Sequence, residues 1–463
     1  MRVFHKLTAV FDDPNLISVG GLAPVMALAE RAGLPELVAE HVTVPGSAGA
    51  NAVVKVPALV AGMVAGADSI SDLDLLRHGG MGRLFTGVRA PTTLGTFLRA
   101  TSFGHVRQFD AVASRLLIAL AKATPLLAGA DQVTYLDVDD TIRETHGYAK
   151  QGTGYGYSGV KGLNALVAIA STPLAAPVIV ATRLRKGSTN AAKGAFRLIS
   201  DALATARAAG AGTAPGGLVT VRADSAYYNS KVVAAARRGG AHFSITARQD
   251  PAVRRAIASI GEDAWTPIKY PNAIWEETEQ RWISDAEVAE IEFTAFTSRR
   301  RSEQVTARLI VRRVRRLNPA TVPAGQTALF AEYRHHAVFT DSTLLMLAAE
   351  AAHRDHAIVE QVIAELKAGP LAHLPSGTFT ANAAWLVCAA IAFNLTRAAG
   401  VLAGAFHAKA RTATIRTQLI NVPARIASSA RRLRLHLPTD WPWQTGYDQL
   451  FTATLAPPGP AAT

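Results

Sequence analysis

The residues best equipped for chemistry lie in Tyr135-Leu136-Asp137-Val138-Asp139-Asp140-Thr141, where apolar positions run into three carboxylates and a hydroxyl. In an extended strand successive side chains alternate faces, so Asp137 and Asp139 share one side and Val138 and Asp140 the other. Two carboxylates on one face of a buried strand repel each other unless a cation lies between them. The same spacing also suits a strand running into an Asp-rich turn whose carboxylates cap backbone amides. Two more acids stand out: Asp224, in Val221-Arg-Ala-Asp-Ser225 at the end of a short apolar run, and Glu360, on a helix far downstream. Oxygen-only ligands suit Mg²⁺ or Mn²⁺. Two such ions about 4 Å apart can activate a water or a 3′-hydroxyl and stabilise the leaving oxygen at a phosphodiester. Three unrelated acids on a strand, a turn and a helix would give the same triple, so spacing alone leaves both readings open.

The elements that must position these acids can be read from apolar periodicity. Strands are expected at Val133–Asp139, at Leu163–Ala170 and Pro177–Arg183 (a hairpin across Ser171-Thr172-Pro173), at Leu218–Arg222 and at His242–Thr246. Helices are expected at Asn190 to Ala209 and Lys231 to Arg238, which gives an α/β layer around a mixed sheet. Residues 250–330 break that rhythm. Alternation dominates Glu290–Thr297, Gln304–Val311 and Leu329–Tyr333, and the stretch reads as a β-rich insertion holding Trp265, Trp275 and Trp282. Each tryptophan suits a structural core or a stacking platform for a base. After a strand at Ala337–Thr340, one long helix is expected from Ser342 to Lys367, with Ile358, Val362 and Leu366 as its apolar seam. His356 and Glu360 share a face of it, and Gly369-Pro370 ends it.

The flanks are helical. Residues 51–125 carry Arg83, Arg89, Arg99 and Arg107 among helix signals, a pattern that suits a helix-turn-helix-like module or a plain bundle with solvated arginines. The C-terminal part is Ala-rich, with a basic stretch Arg431-Arg432-Leu433-Arg434 and a tail, 456–463, read as disordered. Ala383–Phe393 is apolar but is followed too soon by Asn394 and Arg397 for a span of about 20 residues, and reads as a buried helix.

Bulk composition narrows the class. The chain has 463 residues and 49% hydrophobic content, which excludes a disordered protein. Its net charge of +13 favours a polyanionic partner, nucleic acid before an anionic membrane. One cysteine, Cys388, excludes a disulfide framework or a cysteine-based zinc site and fits a reducing cytoplasm. No signal peptide is expected, because Asp12 and Asp13 follow the start where an apolar core would lie.

Several motifs together resemble the bacterial insertion-sequence transposases of the Asp-Asp-Glu class, and in particular insertion-sequence family 1380. They are Leu136-Asp-Val-Asp-Asp-Thr141, Arg183-Leu-Arg-Lys-Gly187, Arg222-Ala-Asp-Ser225, His353-Arg-Asp-His356 through Glu360 to Lys367, Asn382-Ala-Ala-Trp-Leu386, Val422-Pro-Ala-Arg425, and Thr93–Leu98 with Gly104–Arg107. The resemblance implies a ribonuclease-H-like α/β catalytic core with a β-rich insertion and helical N- and C-terminal regions. Its divisions are a DNA-binding region 1–128, the core at 129–249 and 331–370, the insertion 250–330 and a C-terminal region 371–463. It implies Asp139, Asp224 and Glu360 as catalytic ligands of two Mg²⁺ (or Mn²⁺) ions, with Asp137 in reserve. Implied partners are double-stranded DNA and a second copy of the chain in a synaptic dimer, in the cytoplasm and with no membrane. Candidate phosphate contacts are Lys367, Arg354, Arg185 and Arg222 from these motifs, and Arg312, Arg313, Arg315 and Arg316 from the basic run. The family places a Tyr and an Arg ahead of the Glu where this chain has His353 and His356. That departure bears on how DNA is gripped. Two rival readings keep the fold: a nuclease for branched or hybrid nucleic acid, and a non-catalytic DNA-binding protein.

Overall fold

The computed structural model describes residues 1, 5–146, 150–156, 159–269, 275–276, 281–282, 286–315, 333–429 and 432–455. The expected disordered tail 456–463, Arg316, Arg431 and most of the strand expected at Leu329–Tyr333 lie outside the described residues.

The N-terminal part forms helices α1 (Leu22–Arg31), α2 (Leu34–His41), α3 (Ala52–Ala65), α4 (Pro91–Arg99) and the long α5 (Phe103–Ala123). The start of α5 is set by a capping box: the Ser102 hydroxyl accepts from the His105 amide, and the His105 ring accepts from the Ser102 amide at 2.9 Å. Next come strands β1 (Val133–Glu144), β2 (Lys161–Ser171) and β3 (Val178–Lys186), helix α6 (Ala195–Ala208), strand β4 (Leu218–Ala223), helix α7 (Ser230–Arg238) and strand β5 (His242–Thr246). This is the order that the periodicity predicts.

The sheet runs β3–β2–β1–β4–β5. Strand β2 runs antiparallel to both β3 and β1, and β1, β4 and β5 are parallel. Strand β1 is therefore central, and its acids lie where the parallel strands end. The insertion does not build a separate main sheet. Strands β6 (Thr266–Ile268), β7 (Ala286–Ala295), β8 (Val305–Arg315) and β9 (Tyr333–Thr340) extend the same sheet, because β9 pairs antiparallel with β5 and β8, β7 and β6 follow outward. Backbone hydrogen bonding thus carries the sheet from the acid strand into the insertion.

One long helix is expected from Ser342 to Lys367, but the structure has two. Helix α8 (Met346–Arg354) is followed by a tight 3₁₀ turn, Asp355–Ala357, and then by α9 (Ile358–Lys367). The break has a local cause. The His356 ring donates back to the His353 carbonyl at 2.7 Å, the same carbonyl towards which the Asp355 amide turns at the helix end. As a result Glu360 lies in the first turn of a helix rather than in the middle of one.

Helix α10 (Phe379–Leu402) organises the interior. It is long and apolar enough to cross a membrane, yet 89% of its apolar window is buried against the rest of the protein, as befits a core helix that is hydrophobic all round. It packs on α3, α4 and α5 on one side and on β3 on the other, so the N-terminal helices and the sheet share one core. Its polar residues have structural partners. Asn394 accepts from the Ile179 amide at 2.8 Å and donates to the Ile179 carbonyl at 2.7 Å, standing in for a further strand beside the edge strand β3 where its pairing shifts register. Asn382 clasps both the amide and the carbonyl of Ser376, and the Trp385 indole donates to the Pro370 carbonyl at 2.6 Å. The Asn-Ala-Ala-Trp motif thereby holds the loop that leaves α9. Cys388 is fully buried, its thiol pushed up to about 12 by burial. Beyond α10, strands β10 (Ala424–Ser429) and β11 (Arg432–His436) form a ribbon, and α11 (Gln444–Leu455) closes the described fold.

Replacing Asn394 by Leu strands the Ile179 amide and carbonyl in the core and is expected to cost about 2–4 kcal/mol. Chemical denaturation checks this; a loss under roughly 0.5 kcal/mol would mean that the clasp contributes nothing.

Candidate catalytic centre

Strand β1 sends its acids to two sides, with different fates. Asp140 faces one side and is fully engaged: it accepts from the Tyr227 hydroxyl at 2.6 Å, from Arg185 at 3.0 Å and from the Asn164 amide. Burial and the nearby Asp140 carboxylate push the Tyr227 phenol far above its usual range, so it serves as a donor. Arg185 is also spoken for. It bonds Asn164 at 2.6 and 2.8 Å and the Ala191 and Lys193 carbonyls at 2.6 and 2.9 Å.

Asp137 and Asp139 share the opposite face but not their surroundings. Asp137 is 0% exposed, and both its oxygens are taken by Arg222, at 2.6 and 2.7 Å. The two residues are register partners across the parallel β1–β4 ladder. The guanidinium also covers the Tyr135 ring at 4.1 Å and donates to the Ala352 carbonyl near the end of α8. This bears on two expectations: both oxygens of Asp137, the reserve metal ligand, are engaged by Arg222, and Arg222, expected at a phosphate, is a buried cross-link.

Asp139 is half-buried, and its carboxyl is pushed up to about 7. Burial is the main cause, the carboxylates of Asp224, Asp140 and Glu360 add to it, and the Asp140 amide, donating at 2.7 Å, opposes it. Asp224 stands just past β4 and caps the turn Ser225–Tyr227 by accepting from the Ala226 amide at 2.9 Å. Its carboxyl is also raised, by burial first and then by Asp140, while His356 acts the other way. Glu360 is exposed in the first turn of α9, where the helix dipole favours an acid. The fold thus brings Asp139, Asp224 and Glu360 from β1, the β4 exit and α9 into one electrostatic neighbourhood. Among the described residues, no three His, Cys, Asp or Glu side chains form a ready-made metal cage. The donor set nonetheless fits a hard cation: all oxygen, partly open, with Asp139 and Asp224 raised by burial and then by neighbouring carboxylates, a charge that a divalent ion relieves.

The remaining predicted contacts divide sharply. Lys367 is exposed at the end of α9. Arg354 pairs with buried Glu350 at 2.9 Å, and Arg312 with the same carboxylate at 3.0 Å. Arg313 is 6% exposed; it bonds Glu287 at 2.6 Å and Glu262 at 2.8 Å and lies between the Trp265 and Tyr333 rings at 4.2 and 4.5 Å. Arg315 ends β8. In the N-terminal part Arg107 bonds Asp110 at 2.7 Å and Asp201 at 3.1 Å, tying α5 to α6. Of the tryptophans, Trp275 is 45% exposed on a short strand beside Arg281–Trp282, whereas Trp265 is half-buried under Arg313.

One participant is not among the predicted site residues. His356 is half-buried and is close enough to Asp224 and Asp137 to affect both. Its place four residues before Glu360 was the available signal; the 3₁₀ turn that redirects it was not visible in the sequence. Its neighbour His353 is buried and bonded to the Ser244 and Thr246 hydroxyls at 3.0 and 2.9 Å, which pins the end of α8 to β5.

Two outcomes test this frame. Arg222→Met alone leaves a buried carboxylate unpaired and is expected to cost about 3–5 kcal/mol, and adding Asp137→Leu is expected to recover part of that. A double variant no more stable than the single one in urea melts would contradict the pairing. Burial pushes the His353 ring down to about 3 from its usual 6.5, helped by His356 and Arg222. Below 6.5 the unfolded chain takes up a proton that the folded chain refuses, so stability falls with pH between 6.5 and 3 by roughly 1.4 kcal/mol per pH unit. His353→Gln is expected to shrink the loss between pH 7 and pH 5 by about 2 kcal/mol; an unchanged loss contradicts the assignment.

The family described as transposase DDE domain group 1 matches residues 3–456. No curated protein matches the chain.

Proposed function

The chain belongs to the transposase DDE domain group 1 family, and on that premise we propose that it cuts and joins DNA at the ends of a mobile element of the insertion-sequence 1380 type. The observation that supports the reading is that Asp139, past the end of the parallel β1–β4 pairing, feels the charges of both Asp224 and Glu360, which come from two other elements. A mixed sheet with the acid strand at its centre supports a ribonuclease-H-like core. The three acids would hold two Mg²⁺ or Mn²⁺ ions. When bound, such ions supply the Lewis acidity that activates a water or 3′-hydroxyl and stabilises the leaving oxygen of a phosphodiester.

The chain's own residues set the stage for that chemistry. The Asp140 amide orients the Asp139 carboxylate, and the Ala226 amide orients Asp224. The break between α8 and α9 places Glu360 at a helix start. His356 adds an imidazole near Asp224, and exposed Lys367 offers a charge to a phosphate. Residues 1–128 would grip the terminal inverted repeats, 250–330 would act as an insertion beside the 129–249 and 331–370 core, and two chains would pair so that each element end meets one centre.

Asp139→Asn, Asp224→Asn and Glu360→Gln are each expected to lower Mg²⁺-dependent cleavage of an end-bearing duplex by at least about 100-fold while duplex binding persists. Cleavage at the parental rate by the Glu360 variant sinks the assignment.

A further inference from the structure

We propose that the ribbon β10–β11 is a contact surface for double-stranded DNA, separate from the acidic centre. The inference rests on the reading that DNA is the substrate. The register pairs Arg425 with His436, Ala427 with Arg434 and Ser429 with Arg432. Residues opposite one another and two apart share a face, so the cations Arg425, Arg432 and Arg434 share one face with His436, with only small Ala427 and Ser429 between them. All four basic side chains are exposed.

The base of the ribbon is anchored. Leu16–Ile17 pairs with Ala424 and Arg425, the Ile426 amide donates to the Asn15 carbonyl at 2.9 Å, and Arg425 pairs with Asp13 at 3.0 Å. Towards its tip Ser428, Ser429, Arg432 and Leu433 are all exposed, and the ribbon borders an open groove shared with Tyr447, Asp448 and Phe451 of α11.

Charge accounting separates this element, like exposed Arg299, Arg300 and Arg301, from the arginines held in ion pairs. Arg107, Arg183, Arg185, Arg222, Arg312 and Arg313 are all paired with carboxylates. Arg432 and Arg434 have no acidic partner among the described residues. A two-stranded ribbon, its strands about 4.8 Å apart, enters a major groove about 12 Å wide. An anionic bilayer would call for an apolar face beside the charges. At the tip Leu433 is the one large apolar side chain exposed among the described residues, and Ser428 lies opposite it.

The test uses the full-length chain and a fluorescent 20-base-pair duplex without metal, titrated across salt by anisotropy. The double variant Arg432→Gln/Arg434→Gln is expected to bind at least about 10-fold more weakly at 0.1 M salt, with the slope of log K against log salt reduced by about two. Ser429→Asp, on the cationic face, is expected to weaken binding more than Ser428→Asp on the other face. Unchanged affinity and slope in the double variant, equal effects of the two serine variants, or a loss confined to phosphatidylserine vesicles each overturns the proposal. Failure of the parental chain to bind any duplex overturns the DNA reading as a whole. A double variant that binds like the parent while Asp139→Asn still abolishes cleavage overturns the ribbon alone.

Discussion

The buried pair between Asp137 and Arg222 is the constraint on which the arrangement of the centre depends. It joins register partners on β1 and β4, and through the Ala352 carbonyl it reaches the end of α8. Three elements are thereby held at one point, one pleat away from Asp139. Such a pair is a poor source of net stability, because desolvating two charges offsets most of their attraction. Its value lies in position. With β1, β4 and α8 tied together, and His353 tying α8 to β5, the 3₁₀ turn at Asp355–Ala357 has a defined direction. That turn starts α9 with Glu360 in its first turn.

The contrast between Asp137 and Asp139 follows from surroundings rather than residue type. Both lie on the same face of one strand. Asp137 is closed off by a guanidinium, whereas Asp139 is left half-open among other carboxylates, its own carboxyl pushed up to about 7. One acid stabilises architecture, and the other is held in a state that a cation would relieve. The opposite face repeats the theme, with Asp140 closed off by Tyr227, Arg185 and Asn164.

Much of this was legible in the chain. Alternation and apolar runs located β1 to β5 and both intervening helices, because a sheet covered on its faces imposes those patterns directly. Strand parity put Asp137 and Asp139 on one face but could not separate them, since the separation depends on Arg222 arriving from a neighbouring strand. For the same reason Arg185, Arg222 and Arg313 read as candidate phosphate contacts: the carboxylates they pair with are distant in sequence. The continuous helix expected from Ser342 to Lys367 failed because every residue there tolerates helix, and the break comes from a side chain bonding back to a carbonyl. Within 250–330 the described residues hold the helix Pro251–Ala258 as well as strands, and the union of those strands with the main sheet rests on the β5–β9 pairing, which no local pattern reports.

Anomalous scattering from crystals of the full-length protein soaked in Mn²⁺ tests the central claim most directly. The account predicts manganese bound by Asp139 and Asp224 with Glu360 completing the set, and no metal on Asp137. Manganese seated on Asp137 with Arg222 displaced, or none at Asp139 under saturating Mn²⁺, would contradict it.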